Sequence, residues 1–256
     1  MTRRARLIYG AVGILLLLVL WQTLVLVRGV GEALFPSPLG VARGIVELVE
    51  NGVLLTHVQV SLGRFAAGYF SACLVAVLLG LVLGRVERLW ALIDPVVQLL
   101  RPVSPIAWAP FIVLWFGIGN APAIVIIFIA AFFPVLIATV TGVRSVAPIY
   151  LKVAQNMELT RVQLIRRIIL PAAFPTIAGG LHLAIGTAWI FLVSGEMVGA
   201  QSGLGFLIID SRNTLRMDLV MAGIVFIGIC GLLLDRAVRL FEHWVGSHWG
   251  RGSAGR

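Results

Sequence analysis

Charge is scarce in this sequence. Of 256 residues, 20 are Lys or Arg and 11 are Asp or Glu, so 12% carry charge. A soluble domain carries roughly 25%. The shortage excludes a soluble fold, because too little polar surface remains to cover a chain that is 60% hydrophobic. High hydrophobicity excludes intrinsic disorder as well. Cysteine is scarcer still. Cys73 and Cys230 both lie in apolar runs. Two are too few for a disulfide scaffold or a cysteine zinc site, and they read as packing residues. Lys152 is the sole lysine, and it lies in LKVA. A P-loop needs G-x-x-x-x-G-K-[ST], so any ATP-driven role requires a second polypeptide.

Catalytic patterns are missing too. There is no H-E-x-x-H for an intramembrane zinc protease, and His57, His182, His243 and His248 do not cluster with carboxylates in sequence. Ser194-Gly195 follows Phe-Leu-Val, without the first glycine of a nucleophile turn. No catalytic or metal-ligating residue is assigned.

What is present is apolar length. A bilayer core of roughly 30 Å takes about 20 apolar residues of helix. Charge-free runs cover Leu7–Val27, Phe65–Gly84, Pro102–Val143, Ala172–Gly195 and Leu219–Leu234. The third is long enough for two spans, with the turn at Gly117–Pro122. Pro102 and Pro105 break an approach helix containing Trp90–Leu100. Six helices are expected, in an all-α polytopic membrane protein. Arg3, Arg4 and Arg6 precede the first run, which is longer than a signal-peptide core and lacks a small-x-small cleavage site. It reads as an uncleaved helix. With both ends inside, only Arg28, Arg43, Arg64, Arg212 and Arg216 fall on outer segments. The inner excess of cations fits the positive-inside rule, and the net charge of +9 needs no nucleic-acid partner.

The connecting segments differ. On the outer side, Leu39–Val60 looks amphipathic. Gly199–Asp218, GAQSGLGFLIIDSRNTLRMD, reads as a re-entrant or interfacial turn. Its Asp210, Arg212 and Arg216 are either solvated or meet an external partner. On the inner side, Arg144–Pro171 carries Arg144, Lys152, Glu158, Arg161, Arg166 and Arg167, with apolar residues at roughly helical spacing. Thr160 is a candidate cap for a helix starting at Arg161, and Pro171 is expected to close it. Spacing leaves two readings open: an interfacial helix held by anionic lipid, or a docking helix for a soluble partner.

One helical face of the fifth span carries His182, Gly186, Trp189, Val193 and Glu196. Ionisable groups in a membrane helix face protein or water. His182, Trp189 and Glu196 therefore line a translocation path, or His182 bonds a neighbouring helix and Glu196 sits at the outer interface. Gly179, Gly180, Ala184 and Gly186 read as a close-packing surface.

KVAQNMELTRVQLIRRIILP, Lys152–Pro171, resembles the cytoplasmic loop of bacterial ABC-importer permeases. That motif runs Glu-Ala-Ala, three residues, Gly, nine residues, then Ile-x-Leu-Pro. Ala154, Ile168, Leu170 and Pro171 match, while Lys152, Val153 and Glu158 replace its Glu, first Ala and Gly. FPSPLGV (35–41), LRPVSPIAW (100–108), WFGIGNAP (115–122), GEMVGAQSGLGFLI (195–208) and DLVMAGIVFIGICGLLLDR (218–236) resemble the nitrate/sulfonate/taurine branch of these permeases.

The resemblance implies a type I importer permease of the bacterial inner membrane, working by alternating access on a small oxyanion or organosulfonate. Its implied partners are ABC ATPase subunits, which carry ATP and Mg, a periplasmic or lipoprotein substrate-binding protein, and a second permease copy in a homodimer. Lys152, Ala154, Glu158, Leu159, Arg161, Leu164, Ile168, Leu170 and Pro171 would form the ATPase-coupling helix, running straighter for want of the glycine. Asp210, Arg212 and Arg216 would meet the binding protein. The implied division is a first helix at 1–28, a periplasmic segment at 29–62, a core at 57–240 with its coupling loop at 144–171, and a cytoplasmic tail at 241–256. The alternative is a gradient-driven carrier or channel without an ATPase. Such carriers place several ionisable residues mid-membrane, whereas here His182 and Glu196 are the only candidates. A non-transporting scaffold is a third reading.

Overall fold

The computed structural model describes residues 3–28, 31 and 34–248, with side chains described except at 3, 4, 6, 7, 28 and 241–248. Among the described residues the elements are helical. They are α1 (Arg3–Arg28), α2 (Pro38–Glu50), α3 (Val53–Arg85), α4 (Glu87–Leu100), a 3-10 turn (Pro105–Trp108), α5 (Ala109–Phe116), α6 (Asn120–Arg144), α7 (Pro148–Asn156), α8 (Arg161–Leu164), a π turn (Ile165–Ile169), α9 (Leu170–Gly199), α10 (Leu204–Asn213) and α11 (Met217–His248). Five helical stretches are long and apolar enough to cross a membrane. A sixth arises if Glu87–Leu100 and Pro105–Phe116, bent by 85°, form one broken span. The break falls at Pro102 and Pro105, where the ring removes a donor and disfavours continued helix.

The chain divides into two compact units, residues 1–60 with 202–228 and residues 61–201 with 229–256. In the first, Ser37 caps α2 by accepting from the Gly40 N–H, and Pro38 opens the helix. The α2 helix packs on the start of α11, where a Cβ on Gly44 would lie 3.0 Å from Leu219. The outer turn expected at 199–218 contains a short helix, α10, whose Leu204 and Leu207 are buried.

The second unit holds the main core. On α3, Gly68, Ala72, Ala76, Gly80 and Gly84 recur every fourth residue and form one small-residue stripe. Cβ atoms on its glycines would lie 2.6–2.7 Å from Ile127, Thr139 and Val143 of α6. The backbones of α3 and α6 thus pack too closely for larger side chains. The α6 and α9 helices also pack intimately, and a Cβ on Gly180 would sit 2.2 Å from that of Ala138. The close-packing reading of the fifth span therefore applies to Gly180 and the fully buried Ala184, whereas Gly179 and Gly186 have open space beside them.

Two boundaries differ from expectation. The α3 helix begins at Val53, within the segment read as an outer loop, because its polar residues find partners inside the protein. Pro171 does not close a helix: 161–199 runs through as one span. Its ring would collide with the carbonyl four residues back. The π turn just before it widens the helix, with the Leu170 N–H donating to the Ile165 carbonyl. The α11 helix continues to His248, and residues 249–256 of the expected tail lie outside the described residues.

Candidate translocation and docking surfaces

Three buried polar residues of the second unit, Ser61, Arg64 and Glu196, lie together. Arg64 on α3 and Glu196 on α9 form an ion pair at 2.9 Å, with side chains 3% and 0% exposed. Ser61, one turn before Arg64, donates to both Glu196 oxygens at 2.7 and 2.9 Å. Arg64 also donates through Nε and Nη2 to Oδ1 of Asn120, the first residue of α6. Beside this cluster the Gly119 N–H donates to the Gly199 carbonyl at 2.8 Å. One end each of α3, α6 and α9 is thereby tied together by groups that satisfy one another. Desolvated charge is tolerated only under such pairing.

The three residues of the expected pathway face go to different places. Glu196 is consumed by the Arg64 network. Trp189 is 6% exposed. It meets Phe65 edge-on at 5.6 Å and packs over Gly231, whose absent Cβ leaves room for the indole. His182 is partly exposed, with Nε2 3.2 Å from Oδ1 of Asp235 on α11, and Asp235 also pairs with Arg239. This face of α9 is thus mainly a packing face toward α3 and α11.

The open side of α9 lies elsewhere. A cavity of about 510 Å³ is bordered by Gly179, Leu183, Thr187 and Phe191, spaced by four, together with an α6 face and Arg101. Leu183 is 62% exposed. The open space beside Gly179 belongs to this side. Periodicity picked out one face of α9, but a glycine reads alike whether it faces a helix or a cavity.

The segment linking α6 to α9 forms a tight double turn. The α7 helix ends at Asn156 with Met157 as its cap, and Glu158 is left-handed at φ 51. The Leu159 N–H returns to the Ala154 carbonyl and the Glu158 N–H to the Gln155 carbonyl, which is the Schellman pattern. A residue in this conformation is ordinarily glycine. The expected straightening is therefore absent: the turn survives with Glu158 in the glycine's place. Thr160 then caps α8, in a capping box with Gln163. Ala154 is buried, and Leu164, Ile165, Ile168 and Leu170 pack on the cluster of Val143, Val146, Ile169, Ala173 and Ile177. Lys152, Glu158 and Arg161 are exposed, as are the apolar Val153, Met157 and Val162.

In the first unit Arg216 is held by Glu47 at 2.6 Å and Asp218 at 2.8 Å. Hydrogen bonds, from Asp218 foremost and then Glu47, raise its already high pKa further. Arg216 thus joins α2 to the start of α11, while Asp210 and Arg212 remain exposed. His57 Nδ1 accepts from the Gly203 N–H at 2.9 Å, fixing the turn into α10.

Five long apolar helices, a sharply bent helix pair and a structured loop between two packed spans define a polytopic membrane protein. Residues 76–247 match the family model described as binding-protein-dependent transport system inner membrane component. The chain is 35% identical to the putative aliphatic sulfonates transport permease protein SsuC of Bacillus subtilis, over 88% of this chain and 82% of that protein. It is 32% identical to the taurine transport system permease protein TauC of Escherichia coli, over 94% and 89%. It is 34% identical to the nitrate import permease protein NrtB of Synechocystis sp., over 94% and 90%. A chain of the inward-facing MetNI methionine ABC transporter superposes with a TM-score of 0.57 at 20% identity, covering 74% of this chain and 97% of that one.

The chain belongs to the family of inner-membrane components of binding-protein-dependent transport systems. It is an ABC-importer permease subunit, multi-pass in the inner membrane, with the all-α type I permease fold. Its family implies an ATPase and a substrate-binding protein as partners.

Proposed function

We propose that this permease carries a small oxyanion or organosulfonate inward by alternating access, as one of two copies in a homodimer. Support for the substrate class comes from relatives named for sulfonates, taurine and nitrate. ATP and Mg belong to the partner ATPase in this reading, since the sole lysine lies outside any P-loop pattern. Both termini face the cytoplasm, residues 1–28 form the first span, 57–240 the transporting core, and the 144–171 loop faces the ATPase.

The observation that carries the coupling assignment is the exposed apolar patch of Val153, Met157 and Val162 among Lys152 and Arg161. Lys152, Glu158 and Arg161 contact the ATPase. Ala154, Leu159, Leu164, Ile168, Leu170 and Pro171 shape the loop and seat it on the spans. The movement transmitted is a rigid-body rotation of packed helices. Asp210 and Arg212 face the binding protein, with Arg216 holding the segment in place.

Purification of the chain from its native membranes tests this reading. A P-loop ATPase is expected to accompany it, and to be lost when Met157 and Val162 are both changed to Asp. Both side chains are exposed, so the spans stay packed. Purification under gentle conditions without any ATPase would contradict the coupling assignment.

A further inference from the structure

Arg101 caps the C-terminus of α4, at the elbow where the bent helix pair turns by 85°. It is exposed and borders the cavity between α6 and α9. Among the described residues the ion pairs join Arg64 to Glu196, Arg144 to Glu87, His182 and Arg239 to Asp235, and Arg216 to Glu47 and Asp218. None involves Arg101. Asp94, which borders an adjoining groove with Arg101, accepts instead from Gln98 at 2.7 Å. The cavity walls are otherwise mostly apolar, with Ile129, Phe133, Leu183 and Phe191. Three threonines border the same space; the Thr187 hydroxyl is spent on backbone carbonyls, which leaves those of Thr141 and Thr176.

A lone cation against low-dielectric walls concentrates a positive potential in the space it faces. A guanidinium is suited to planar or trigonal oxygen arrays, as in nitrate and sulfonate. One cation with two neutral donors also suits transit, where binding must be favourable enough to admit the ion and weak enough to release it.

We propose that Arg101, with Thr141 and Thr176, forms a transient binding point for a small monovalent oxyanion on the translocation path and sets its charge selectivity. This rests on the oxyanion reading above. The alternative source of the same chemistry is a lipid phosphate, against which the arginine would merely be anchored.

The test uses the whole complex with its ATPase and binding protein, in phosphatidylcholine vesicles free of anionic lipid. Uptake of labelled nitrate, taurine and ethanesulfonate is measured for wild type, R101K, R101Q and R101E. R101K is expected to stay within about threefold of wild type, R101Q to fall roughly tenfold and R101E further, the scale of a charge-assisted contact. A second measurement does not depend on those variants folding. With Cys73 and Cys230 changed to Ala and Leu183 to Cys, an anionic ethylsulfonate thiosulfonate is expected to label faster than its trimethylammonium counterpart. If the cationic reagent reacts as fast, the proposal is overturned. If wild type transports an anion and R101Q and R101E match it, Arg101 is a lipid anchor and the proposal fails while the oxyanion reading stands. If wild type transports none of the three, the oxyanion reading fails and takes the proposal with it.

Discussion

Arg64 and Arg101 both belong to the second unit, and the structure treats them oppositely. Arg64 is 3% exposed and spends its donors on Glu196 and Asn120. Arg101 stands at an elbow beside open volume with no carboxylate partner among the described residues. Residue type is therefore a poor guide to role in a membrane protein. A charge whose donors are all met inside the fold acts on stability, and one facing a cavity is available to a solute.

The largest effect expected from breaking this contrast lies in the buried network. Arg64→Leu or Glu196→Leu alone leaves an uncompensated buried charge and is expected to cost about 3–5 kcal/mol. The double variant should be more stable than either, as thermal unfolding of the three proteins in detergent would reveal. Single variants no less stable than the double would break the account of the pair.

A smaller effect separates two neighbouring glycines. Gly180→Ala forces a Cβ to within 2.2 Å of Ala138 and is expected to cost about 1–3 kcal/mol by overpacking. Gly179→Ala meets nothing within 4 Å and is expected to be neutral or slightly stabilising. Denaturation midpoints of the two variants would test this, and equal losses would contradict the assignment of the two faces. The smallest effect is expected at the coupling turn. Glu158→Gly relieves a left-handed side chain and should stabilise by about 0.5–1 kcal/mol, net of the freedom glycine adds to the unfolded chain. The same midpoint measurement applies, and a loss of stability would mean that the Glu158 side chain makes a contact outweighing its backbone cost.

Much of the fold was legible because helical membrane segments announce themselves by length and lack of charge. The five long apolar helices, the break at Pro102 and Pro105, and the Thr160 cap follow from local chemistry. The pairing of Arg64 with Glu196 does not, since 132 residues separate them. Arg64 read as an outer-segment residue because the charge-free run begins at the next residue, Phe65. Pro171 misled for a related reason: a proline signals a break, but the compensating π turn has no signature of its own. Glu158 hid a glycine's conformation, which only hydrogen bonds from both sides of the turn reveal. On α9, spacing grouped His182, Trp189 and Glu196 on one face but left open whether that face meets a solute or packed helices; in the structure it meets α3 and α11. The open side instead carries Gly179, Leu183, Thr187 and Phe191, and no local rule tells which face of an apolar helix is covered.

The distinction between a structural and a transport arginine is tested most directly by the apparent melting temperatures of R64Q and R101Q, measured side by side in the same detergent. R64Q is expected to melt roughly 6–20 °C below wild type, from the cost of an unpaired buried charge spread over a domain of this size. R101Q is expected to stay within about 2 °C, as for a surface substitution away from packed features. If R101Q falls as far as R64Q, or R64Q does not fall at all, the division between the two arginines is contradicted.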